Sequence, residues 1–183
     1  MKKKTSMEWD ALLGAGENAR LRLPAVVAEF FALGRQAAAS EGPTQLHAFR
    51  LAAKRFRYTL ELFRPLYGPG LEPRVEAVRK IQSMLGDRQD FTVLSARLRN
   101  TLAPSDALLD ALRACEEKGR ELEQRFEAYW RDEFDTAGAE LRWVRYLTRR
   151  PATIRVRPEL AQPITVTAPA TRKRPSHTAR TRR

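Results

Sequence analysis

The chain has 183 residues, 43% of them apolar, a single cysteine and a formal charge of +12. That length supports one domain with its own core, and one cysteine excludes an intrachain disulfide framework. No apolar run approaches membrane-spanning length. The basic start MKKKTSMEWD is followed by no apolar region, so no secretion signal and a reducing, cytoplasmic setting are expected.

Residues 17–40 predict a first helix, with Pro24 as a kink. EGPT breaks it, and Pro43 suits the first turn of a second helix running to about Leu66. YGPG at 67–70 is a stop and turn. A third helix is expected from near Pro73 to Leu102, with Gly86 a weak point inside it. Pro104-Ser105-Asp106 opens a fourth that reaches about Thr136. Its apolar stripe is Leu108, Leu112, Cys115, Gly119, Leu122, Phe126 and Tyr129, spaced by threes and fours. A short last helix is expected over 138–149. The predicted fold is all-α: an antiparallel helical bundle with a four-helix core over residues 1–150. Trp9, Trp130 and Trp143 read as packing anchors, and Cys115 as a core thiol.

Residues 151–183 read as a disordered basic tail, interrupted by five prolines. The IRV and ITV runs are its only strand-like pieces. Eight Lys or Arg against Glu159 make the tail +7 of the total +12. Overall basicity therefore says little about the folded part.

The stretch LHAFRLAAKRFRYTLELF, residues 46–63, is more informative. Leu46, Phe49, Ala53, Phe56, Leu60 and Phe63 recur by threes and fours and form an apolar seam. His47, Arg50, Lys54 and Arg57 recur the same way, about 110° around the helix from that seam. Glu61 is the only acid beside them. Like charges one turn apart repel. Either acids on neighbouring helices, the acid-rich fourth above all, neutralise the row, or the row awaits a polyanion. Arg forks and Lys point charges suit phosphate oxygens, and a rigid row stepping about 5–6 Å suits successive phosphates of an extended chain. His47, read in the first turn, adds the dipole of the helix start.

These residues resemble a known family. His47-x-x-Arg50-x-x-x-Lys54-Arg55-x-Arg57-Tyr58-x-Leu60-Glu61-Leu62-Phe63 looks like the signature of the CHAD family, the conserved histidine α-helical domain. Lys80-Ile81-Gln82-Ser83-Met84-Leu85-Gly86-Asp87-Arg88-Gln89-Asp90 resembles its second motif. The resemblance covers about residues 43–98. It implies two similar four-helix bundles about a pseudo-twofold axis, whose basic helices bind inorganic polyphosphate. It implies that His47, Arg50, Lys54, Arg55, Arg57 and Lys80 face the polyphosphate. Tyr58 and Gln82 become supporting hydrogen-bonders, and Asp90 orients a neighbouring cation.

Departures accompany the likeness. The motif occurs once, and the only other histidine, His177, lies in the tail. Arg20, Arg22 and Arg35 of the first helix do not form a second copy. The chain is then either a half-length member that forms a homodimer, rebuilding the twofold, or a reduced version with a shallower site. Ser83 stands where an acid is common in the family. Arg55 matches the motif but falls off the basic stripe.

A second reading is sequence-blind nucleic-acid binding through the Arg-rich tail. Zinc spacing, an RNA-recognition motif and a helix-turn-helix are all absent from the sequence, and with 8% aromatic residues a base-stacking platform is poorly supported. Against an enzyme, there is no P-loop and no E-x-E-x-K tunnel signature, Glu121-Leu122-Glu123-Gln124-Arg125 being nearest. Glu116, Glu117, Glu121 and Asp132 read as a solvated face rather than a metal site. The expectation is a non-catalytic polyphosphate-binding module with no cofactor.

Overall fold

The computed structural model describes residues 10–40 and 42–149. Trp9 and the tail, with its IRV and ITV runs, lie outside the described residues. All regular structure among these residues is helical: α1 Ala15–Ala38, α2 Pro43–Leu62, the short α3 Arg64–Tyr67, α4 Glu72–Thr101, α5 Asp106–Tyr129 and α6 Ala139–Thr148.

The helix boundaries follow local chemistry. Gly42 precedes Pro43 at the start of α2, where a missing N–H costs nothing. The YGPG stretch is a 3₁₀ turn over Gly68–Leu71. It needs Gly68 at φ +67, a backbone region open to glycine. The helix expected to reach Leu66 ends at Leu62 instead. Ser105 caps α5, its hydroxyl accepting the Leu108 N–H at 3.2 Å. The helix expected to run to Thr136 changes at Trp130 into a π turn, Trp130–Phe134. Asp135 N–H then reaches the Trp130 carbonyl at 2.7 Å. The wider turn brings Trp130 and Phe134 onto the core together, their rings stacked at 5.0 Å. Both Pro24 and Gly86 are carried inside unbroken helices.

Cross-helix contacts show the directions. Arg20 bonds the Thr148 carbonyl while Arg35 bonds Glu140, so α1 and α6 are antiparallel. Arg57 meets Gln82, and His47 and Arg50 lie beside Arg88 and Gln89, so α2 and α4 are antiparallel too. Arg88 pairs with Glu123 and Arg99 with Glu116, which sets α5 against α4. The bundle is thus α1, α2, α4 and the broken line from the end of α5 to α6.

Its core is aromatic. Phe30 stacks on Phe56 at 4.4 Å, and Phe49 meets Trp130 edge-on at 5.2 Å. Trp143 packs on Phe56 and Phe134. Every residue of the apolar seam, Leu46 to Phe63, is buried, and so is the stripe of α5 apart from half-buried Gly119. The α2 start lies level with residues 85–89 of α4. Beyond that point α4 runs on for about three turns against the first half of α5, making a two-helix arm outside the main core. Leu108, Leu112, Cys115 and Leu122 are buried within that arm.

Candidate functional site

The seam of α2 faces the core, so its second stripe must look outward. His47, Lys54 and Arg55 are exposed and Arg50 is half-buried. Among the described residues, none hydrogen-bonds or ion-pairs with these four side chains. Helix α2 contributes one acid, Glu61, and that carboxylate is committed to Arg57 at 2.7 Å and to Arg79 at 3.2 Å. The acid-rich α5 does not neutralise the α2 row. Glu116 and Glu123 serve Arg99 and Arg88 of α4, Glu121 serves Lys118 of its own helix, and Glu133 of the π turn takes Lys80.

Arg57 is held from two sides. Its Nε donates to Gln82 Oε1 of α4 at 2.5 Å and its Nη1 to Glu61. Tyr58 acts through its ring rather than its hydroxyl. The Arg57 guanidinium lies 4.5 Å and the Lys54 ammonium 5.8 Å from the ring centroid, a spacing at which the ring face attracts both cations. The ring thereby offsets part of the repulsion between two neighbouring positive charges.

The structure brings His47, Arg50, Lys54 and Arg57 onto one face and joins Gln82 to it. Three of the other candidates lie differently. Lys80 points toward α5, with its ammonium 3.0 Å from Glu133 and 3.9 Å from the Tyr129 ring centroid. It stands two residues from Gln82, on nearly the opposite side of α4. Asp90 is exposed and orients no cation among the described residues. Arg55 is exposed off the stripe. His47 is also one turn later than read: α2 begins at Pro43, so the free amides of the helix start belong to Gly42, Thr44 and Gln45, Pro43 having none.

Arg88 was not among the sequence-based candidates. It lines a small notch with His47, Arg50 and Gln89, while its Nε donates to Glu123 at 2.6 Å. The signal was available: Arg88 falls three residues after core residue Leu85, which places it beside the α2–α4 seam. A groove of about 490 Å³ opens on the other side of Arg88, between α4 and α5. Two of its three cations, Arg88 and Arg99, are already paired with its acids Glu123 and Glu116, which leaves Arg120 as its one cation without a carboxylate partner among the described residues. The unneutralised α2 row is by contrast an open strip on the surface.

Among the described residues no cluster of His, Cys, Asp and Glu is arranged to hold a metal ion, and no helix is long and apolar enough to cross a membrane. Compared with protein families, residues 3–99 match the model of the CHAD domain, just over half of the chain. The match spans α1 to nearly the end of α4. No curated protein matches, and neither does any solved structure.

Proposed function

This chain belongs to the CHAD family, and we propose that it binds inorganic polyphosphate along the outer face of α2, without catalysing a reaction. The observation that carries this reading is the row His47, Arg50 and Lys54, which has no carboxylate partner among the described residues, in a molecule whose other helices pair many of their cations. A rigid helix holds such a row in register at about one turn per step. An extended chain of phosphates supplies the missing counter-charge at that spacing, and Arg50 can grip its oxygens through two parallel bonds. Arg57 continues the row with its geometry set by Gln82 and Glu61. Arg88 stands where it can add a contact from α4 once released from Glu123.

A binding role fits the surroundings of His47. It is the only histidine among the described residues, and no carboxylate orients its ring as a triad or metal site requires. The strip is open, which suits a polymer of variable length better than a small substrate.

The test is a titration of the full chain and of residues 1–150 with long-chain polyphosphate and with duplex DNA, at several salt concentrations. The reading expects the shorter chain to keep polyphosphate binding and to prefer it over DNA. Loss of both affinities on truncation would instead assign polyanion binding to the tail.

A further inference from the structure

A second concentration of positive charge lies at the other end of the bundle, where α4 begins and α6 ends. Two guanidiniums share one tyrosine ring there. The Arg74 ζ-carbon is 3.6 Å from the Tyr146 centroid and that of Arg149 is 4.0 Å from it. The two cations therefore lie within about one Debye length of each other. Arg149 is fixed by bonds from one terminal nitrogen to the Tyr67 carbonyl at 2.7 Å and to the Tyr146 hydroxyl at 2.9 Å. Tyr67 in turn donates to the Leu147 carbonyl at 2.5 Å. Arg20 adds a third positive charge nearby, its Nε on the Thr148 carbonyl at 3.1 Å.

Carboxylates are missing from this arrangement. Among the described residues, no Asp or Glu pairs with Arg20, Arg74 or Arg149, and Glu72, two residues from Arg74, is taken by Arg64 at 2.9 Å. Among the described residues, the enclosed Arg74 Nε has no hydrogen-bond partner, and its Nη1 makes only a long 3.4 Å contact to the Gly70 carbonyl. Burial, with Arg149 adding to it, pushes the Arg74 guanidinium below its usual value. Carbonyls at the α6 terminus supply partial negative charge, which steadies Arg149, but Arg74 draws on none of the α6 carbonyls.

We infer that the Arg74–Tyr146–Arg149 cluster is a separate binding site for a single small oxyanion, of the phosphate class, bridging the two guanidiniums. The Arg74 Nη2 and the Nε and Nη1 of Arg149 are uncommitted among the described residues, and two guanidinium forks are the donors that a tetrahedral oxyanion takes best. The Gly70 backbone approaches the cluster closely: a Cβ added there would sit 3.0 Å from the Tyr146 hydroxyl and 3.8 Å from Arg149 Nη2. It is distinct from the α2 strip, because Arg74 reaches toward the α6 rings Trp143 and Tyr146.

Nitrogen-15 spectra of the full chain test this through the arginine Nε–Hε signals. Those of Arg74 and Arg149 are assigned by their loss in Arg74→Lys and Arg149→Lys, and inorganic phosphate is titrated against sodium chloride at equal ionic strength. The expected result is a saturating shift of both signals with one shared Kd, seen with phosphate only. Arg149→Gln should weaken the response of Arg74 at least tenfold. Shifts that rise linearly, that chloride reproduces, or that Arg149→Gln leaves unchanged would overturn the site. If Arg149→Gln does not fold, Arg149→Lys keeps the charge and loses the fork. A fivefold or greater weakening at Arg74 is then expected, and an unchanged Kd overturns the site.

Discussion

Arg57 on α2 and Gln82 on α4 are joined by a hydrogen bond of 2.5 Å, and Glu61 holds the same guanidinium at 2.7 Å. The two sequence motifs therefore meet physically, and one member of the cationic row is part of the helix–helix contact. Gln82→Ala should lower stability by about 1.5–3 kcal/mol, the usual net worth of a hydrogen bond to a charged group, as read from urea unfolding. Polyphosphate affinity should fall only a few-fold, because the freed Arg57 keeps its charge. An affinity loss as large as that from removing Arg50 would show that the position of Arg57, more than its charge, carries binding.

Lys54 and Lys80 separate binding from structure. Lys54 is exposed and, among the described residues, has only the Tyr58 ring as a neighbouring partner. Lys54→Glu should reduce polyphosphate affinity by more than about tenfold, on the scale of a charge-assisted bond turned into a repulsion. Its circular dichroism and melting temperature should stay close to those of the parent chain. Lys80→Ala should do the reverse. It removes an exposed ion pair to Glu133 and a contact to Tyr129, together worth about 1 kcal/mol, and should leave affinity within about twofold. Comparable affinity losses in both variants would extend the binding face around α4 toward α5.

How much of this was legible in the sequence follows from the range of each interaction. The seam Leu46–Phe49–Ala53–Phe56–Leu60–Phe63 was readable because one helix alone sets its period, and every member is buried. The stripe of α5 was readable for the same reason, and Ser105 was a cap signal in plain view. The side taken by Lys80 was not readable: it depends on α5 packing across α4, and Glu133 lies 53 residues away in the chain. The turn at Trp130 was missed because the π geometry is selected by two large rings competing for one core, and spacing along a single helix does not report that. Arg57 was placed correctly on the stripe, yet its second role needed Gln82, 25 residues on. The same limit hid the cluster at the far end, where Arg74 and Arg149 meet only once α6 has returned beside the start of α4.

Gly34 is a packing requirement rather than a flexible point. A Cβ built there would lie 2.0 Å from the Trp130 ring, which is itself wedged among Phe30, Phe31 and Phe49. Ala is favoured over Gly by about 1 kcal/mol inside a helix, so the backbone effect alone predicts stabilisation. Overpacking costs typically about 1–3 kcal/mol and here exceeds that gain, since the neighbour is a fixed ring instead of a flexible chain end. Gly34→Ala should lower the melting temperature and move the tryptophan emission. A raised melting temperature would mean that the α1–π-turn contact is looser than described.

Tyr67 links the α3 turn to the end of α6, and its titration gives that link a pH signature. Burial, with Tyr146 adding to it, raises the phenol from its ordinary value of 10 to about 12, against the opposing pull of Arg149 and Arg20. The native state thus holds this proton more tightly than the unfolded chain does. The contribution is fully present below pH 10 and is lost as pH rises through 12. Tyr129 is also raised by burial, so both phenols weaken the fold in alkali. Tyr67→Phe should cost about 1 kcal/mol at neutral pH, from the lost bond to the Leu147 carbonyl. It should also flatten the fall in stability between pH 10 and pH 12 without removing it. Chemical unfolding of both chains at a series of pH values reads the two effects together. Parallel curves would mean that Tyr67 is not the group whose proton the α6 terminus holds.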